Sequence, residues 1–210
     1  MPHLARAERL ALCELMDRLG PDAATLCGDW TTADLAAHLV IRERRPDAAA
    51  GILFGPLAGH AERVRRAVRD AAPFPELVDR IRQGPPRASL LGLPGVDQAA
   101  NSVEYFVHHE DVRRAQPDWQ PRTLSEETSE TLWKRGRMAR LILRKVPVDV
   151  TLVRPDGKTM RVSKGGRQAR VHGPVGELIL WVTGRAEVAQ VRFTGEADAV
   201  RILAEARWSL

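Results

Sequence analysis

Cysteine is scarce in this 210-residue chain, which has only Cys13 and Cys27. The two form no C-x-x-C pair and sit in no regular His/Cys array, which argues against a disulfide framework and a zinc ribbon. Reduced thiols in a cytoplasmic protein are the expectation. Long apolar runs are missing too. The longest stretch without a charged side chain spans 48–61 and is broken by three glycines, a proline and a histidine. It falls short of the roughly 20 apolar residues that cross a bilayer. Arg6, Glu8 and Arg9 interrupt any signal-peptide core, so no membrane partner is expected. Lysine occurs only at 134, 145, 158 and 164, and the net charge of +5 is therefore carried by arginine. Those arginines alternate with Asp and Glu along the chain. Arg63, Arg65, Arg66 and Arg69 wrap a helix rather than line one stripe, which predicts a solvated basic helix and no nucleic-acid partner.

What is abundant is apolar surface. At 44% hydrophobic residues the chain can build one large or two small cores. Apolar residues recur at Leu4, Ala7, Ala11, Leu15 and Leu19, which predicts a helix ending at Gly20-Pro21 with that face inward. Thr31 with Asp34 reads as a capping box opening a helix that stops near Arg45, before Pro46. Further helices are predicted over 57–69, with Val64 and Val68 inward, around Leu77 and Ile81, and over 96–115 and 123–144. Beyond Pro147 the period falls to two: a hairpin turning at Pro155-Asp156-Gly157, a strand over 168–172, a helix over 175–183, a strand over 188–194 and a helix over 196–207. The expected fold class is therefore α+β in two domains, a helical bundle over 1–144 and a small α+β domain over 147–210.

The helix over 96–115 carries the chemistry. At 100° per residue, Asp97, Asn101, Glu104, His108 and Asp111 share a strip about 80° wide that holds only oxygen and imidazole groups. Glu104 and His108, at i and i+4, set a carboxylate and an imidazole on adjacent turns within reach of one cation. The plain alternative is a solvated helix face. A third ligand is best sought at His38, on the edge of the apolar face formed by Leu35 and Leu39. His3, His60, His109 and His172 lack such a setting. Cys27 is able to ligate a soft metal, but its loop placement says little. Asp111 suits a supporting acceptor that fixes an imidazole.

These residues resemble a known family. The string Asp29-Trp30-Thr31-Thr32-Ala33-Asp34-Leu35-Ala36-Ala37-His38-Leu39 resembles the W-[ST]-x-x-[DE]-L-x-x-H-[LV] motif of the DinB-like, mycothiol-dependent maleylpyruvate isomerase superfamily. Val103 to Val112 is similar to its E-x-x-x-H-x-x-D segment. The resemblance implies a four-helix bundle binding a divalent metal, zinc for preference, through His38, Glu104 and His108. The segment with Val171-His172-Gly173-Pro174, Glu177-Leu178 and Trp181 to Arg185 looks like the sterol-carrier-like domain often fused to that bundle.

Two readings of function follow. One is a metal- and thiol-dependent isomerase or transferase, with mycothiol as cosubstrate and a small electrophile as substrate. There Arg185 would bind a substrate carboxylate through its planar fork. The other is a non-catalytic binding protein for a small ligand, with a structural or vestigial metal. A monomer or homodimer fits either.

Overall fold

A computed structural model describes residues 4–45, 58–86 and 96–205. The chain divides into two compact units, Met1–Pro121 and Arg122–Leu210.

The first unit is built from α1 (Leu4–Leu19), α2 (Thr32–Arg44), α3 (Ala58–Ala71), α4 (Phe74–Gln83) and α5 (Val96–Arg114). Helix α2 starts where the sequence predicts: the Thr31 N–H donates to the Asp34 carboxylate at 3.1 Å, which satisfies a donor the helix leaves unpaired. The predicted start of α3 at Leu57 lies outside the described residues. Helix α1 packs on α5 and α4, and α2 on α3 and α4. Leu12, Met16, Leu35, Leu39, Leu77, Ile81, Tyr105 and Val112 meet in one core, and each fully buried Leu contributes about 2 kcal/mol.

The inward face of α1 is the expected one only in part: Leu15 and Leu19 pack against the core but are not its buried residues. Ala5, Glu8, Arg9, Leu12, Cys13 and Met16 are buried, whereas Ala7 is exposed and Ala11, Leu15 and Leu19 are half-buried. The helix is rotated because Glu8 and Arg9 point inward to partners on other helices, His109 at 2.7 Å and Glu43 at 3.0 Å. On α3 the buried residue is Arg65; Val64 and Val68 stay half-buried, with Val68 packed against the core as expected. Arg65 pairs with Asp34 and with Glu62 (2.7 Å) and lies 4.6 Å over the Trp30 ring. The helix expected to be a solvated basic one is thus tied to the start of α2.

The second unit begins earlier than the change of period at Pro147. Helix α6 (Glu126–Arg135) opens on Ser125, whose Oγ accepts from the Thr128 N–H at 3.2 Å, three residues after the expected helix start. The expected single helix to 144 is broken at Gly136 into a 3₁₀ turn, a four-residue helix α7 (Ala139–Ile142) and another 3₁₀ turn. There the backbone comes so close to Ile179 and Met160 that a Cβ on Gly136 would touch both side chains. Ala139 and Leu143 sit in the core of this unit, so the segment folds with the sheet.

That sheet has the order β2-β1-β3-β4, built from β1 (Val148–Val153), β2 (Thr159–Arg161), β3 (Arg167–His172) and β4 (Arg192–Gly195). The β1–β3 pair is parallel and the outer pairs are antiparallel. Val148, Val150 and Leu152 alternate inward, as the period of two predicts. They pack with Leu178 and Trp181 of α8 (Val175–Val182) and with Ala199 and Leu203 of α9 (Ala197–Glu205). The last strand is shorter than expected, because the Val188 and Ala189 N–H groups turn back onto the Arg185 carbonyl. The end of α9 at Arg207 lies outside the described residues.

Candidate metal centre

The polar strip of α5 faces protein rather than water. Asn101 and Asp111 have no exposed surface, His108 has 8%, and Glu104 is half-buried. The side chain of Asp97 lies outside the described residues. Opposite the strip, α2 presents His38, whose ring stacks 5.2 Å from Trp30 and meets the His108 ring edge-on at 5.3 Å.

The three sequence-predicted donors come together. Glu104 Oε1 lies 3.5 Å from His38 Nε2 and 3.3 Å from His108 Nε2, and one donor atom from each residue falls within 4.8 Å of the others. The remaining nitrogen of His108, Nδ1, lies 2.8 Å from Asp111 Oδ2. That contact fixes the ring and aims Nε2 at Glu104 and His38. The Leu26 N–H donates to the Asp111 carbonyl (3.1 Å), which ties the loop before α2 to α5.

The electrostatics follow from burial and these contacts. Burial alone would push Glu104 upward, but the two histidines and Arg42 outweigh it and hold the carboxyl well below its usual range. Burial would also push His108 down, and the hydrogen bonds to Asp111, Cys27 and Glu104 reverse this, so His108 stays protonated well above 6.5. His38 has only Glu104 to offset its burial and shifts below 6.5.

Among the described residues two further clusters have ligand-type side chains. Cys27, His108 and Asp111 form one, with the Cys27 thiol donating to Asp111 Oδ2 at 3.2 Å and lying 3.8 Å from His108 Nδ1. It uses the ring nitrogen already held by Asp111. Glu126, Glu130 and Asp156 form the other, and Arg154 reaches all three at 2.6 to 3.1 Å, so their charge is already met by protein. The Nε2 side of His108 is therefore the better cation site: two imidazole nitrogens and a carboxylate oxygen converge there, with a supporting acceptor behind.

Sequence reasoning missed Arg42, whose Nε donates to Glu104 Oε1 at 3.1 Å. The available signal was its spacing, four residues after His38. Cys27 was noticed, but its loop position concealed its contact with Asp111. Arg185 lies in the second unit, where its Nη1 donates to the Thr183 carbonyl at 2.5 Å.

A helical unit followed by a unit containing a mixed sheet makes up an α+β fold. It is the fold of the mycothiol-dependent maleylpyruvate isomerase, which superposes with a TM-score of 0.57 at 15% identity over 98% of this chain and 94% of that one. A variant of that enzyme with one histidine replaced by alanine gives 0.56 at 16% identity over the same shares. No family model and no curated protein sequence matches the chain. Among the described residues no helix is long and apolar enough to cross a membrane.

Proposed function

We propose that the protein is a divalent-metal-binding, thiol-dependent isomerase or transferase of the DinB-like superfamily, acting on a small electrophile in the cytoplasm. The observation that carries this reading is the convergence of His38 Nε2, Glu104 Oε1 and His108 Nε2 within 4.8 Å. Two histidines and one carboxylate suit zinc with a coordination position left open. The likeness of fold to a mycothiol-dependent isomerase supports mycothiol as the thiol. In this reading α1, α2, α4 and α5 are the four-helix bundle, and the segment from 147 onward is the sterol-carrier-like domain.

His38, Glu104 and His108 would hold a divalent cation, which would supply Lewis acidity and favour the thiolate form of a thiol. His38 would offer its Nε2 lone pair, His108 would do so once a cation displaces its Nε2 proton, and Glu104 would contribute the single negative charge of the set. Asp111, 2.8 Å from Nδ1, would keep a proton on that nitrogen when Nε2 turns to a cation. Arg185, in the second unit, offers a planar guanidinium of the kind that suits a carboxylate.

The test is metal analysis of protein purified without a histidine tag, followed by an assay of thiol-dependent cis–trans isomerisation of maleylpyruvate. One equivalent of zinc and turnover that needs both metal and mycothiol are expected. Metal-free protein that cannot be loaded overturns the reading. Bound metal without thiol binding favours the non-catalytic alternative.

A further inference from the structure

Helix α2 brings a second charged residue to the candidate centre. Arg42 follows His38 by one helical turn, so the two side chains leave the same face. Its Nε reaches Glu104 Oε1, the same oxygen that both histidines approach. On its other side Nη1 donates to Asn101 Oδ1. Asn101 in turn donates to Glu43 Oε1 at 3.4 Å, and that oxygen also accepts from the Tyr105 hydroxyl (2.6 Å) and from Arg9 (3.0 Å). The guanidinium is thus aimed by a buried hydrogen-bonded chain that crosses α1, α2 and α5.

Packing does not account for such a chain. Ionised groups taken out of water hold helices together no better than apolar side chains of similar volume. What the chain delivers is a fixed positive charge beside one carboxylate oxygen.

This inference rests on the reading of His38, Glu104 and His108 as metal ligands. We propose that Arg42 is a positioning residue that holds Glu104 Oε1 and offsets its charge, so that a cation at the centre keeps a strong attraction for an anionic ligand such as a thiolate. A carboxylate shared with a guanidinium donates less charge to a cation, and the guanidinium repels the cation directly. Both effects loosen the hold of the protein on the metal while favouring an incoming anion. If Arg42 merely braced Glu104, its removal would weaken metal and anion binding together.

Cobalt(II) and 2-mercaptoethanol separate the two cases. Competition against a chromophoric chelator measures cobalt affinity, and the sulfur-to-cobalt charge-transfer band measures thiolate binding. Relative to wild type, Arg42→Gln is expected to bind cobalt about tenfold more tightly and 2-mercaptoethanol about tenfold more weakly, with Arg42→Lys returning both toward wild type. Weaker cobalt binding by Arg42→Gln, or unchanged thiol affinity, overturns the inference and leaves the metal reading standing. No cobalt uptake by the wild type overturns both. If Arg42→Gln fails to fold, Asn101→Ala, which releases the guanidinium but keeps its charge, is expected to lower thiol affinity severalfold; an unchanged affinity then overturns the inference.

Discussion

His108 touches Asp111 through one ring nitrogen and approaches Glu104 through the other, so it links the candidate cation site to Asp111. Substituting His108, Glu104 or His38 by Ala is expected to abolish metal binding, checked by elemental analysis, while helical circular dichroism stays intact and the melting temperature falls only modestly. The pH dependence follows from the raised pKa of His108. In the metal-free protein its charged contacts stabilise the fold below about pH 6.5, and that contribution is lost as pH rises through the higher folded value. A cation needs Nε2 without its proton, so metal uptake near pH 7 should release about one proton and affinity should rise with pH. Calorimetry in buffers of different ionisation heat checks the proton count. Asp34 behaves oppositely: burial would raise its pKa, yet Arg65, the Thr31 N–H and Arg69 lower it from 3.8 to about 2. The lowered value contributes about 2 kcal/mol near neutral pH. Asp34→Asn should lose that amount in urea unfolding, and its deficit should vanish as pH falls from about 4 to 2.

The start of α2 was legible because its cap is local, whereas that of α6 was expected at Thr123 and is capped by Ser125. Thr31 and Asp34 mark the start of α2, and the i, i+4 spacing of Glu104 and His108 survives into the fold because both lie on one helix. The rotation of α1 was not legible, since an amphipathic pattern assumes that charges face water, and Glu8 and Arg9 do not. The break at Gly136 was not legible either, where the backbone packs beside Ile179 and Met160 from elsewhere in the chain. Pairing of β3 with β4 depends on Gly195, which has φ +132° and faces Ala169 in the register. A Cβ there would lie 2.4 Å from the Gln168 carbonyl oxygen and 2.8 Å from the Ala169 Cα. Gly195→Ala should therefore cost about 3 kcal/mol or more, combining backbone strain with a clash against main chain that cannot swing away. Denaturant unfolding measures it, and a loss under about 1 kcal/mol would show that β4 shifts at little cost.

Each compact unit has its own apolar core, one around Leu12, Leu35 and Tyr105 and the other around Val150, Leu178 and Trp181. The candidate ligands are attached to helices already held by the first of these cores. Chelation is therefore expected to leave far-UV circular dichroism unchanged and to lower the melting temperature by only a few degrees. Cooperative unfolding on addition of EDTA would instead make the metal structural and remove the main support for an enzyme.

The α+β class, most of the helices and the hairpin at Asp156-Gly157 were readable from the chain because period, caps and turn residues are local properties. So was the candidate trio, with His38 found as an imidazole at the edge of an apolar face. The division into units at Pro121 and Arg122 was not, because a change of period marks where strands begin and not where α6 packs. Nor were the burial of the α5 strip and the placing of Arg42 and Cys27 around it. Those depend on how α1, α2 and α5 are rotated about their axes, which is set by long-range contacts such as Arg9 with Glu43 and Glu8 with His109. A sequence pattern carries the spacing of side chains along one helix, whereas the partner each side chain meets comes from another helix.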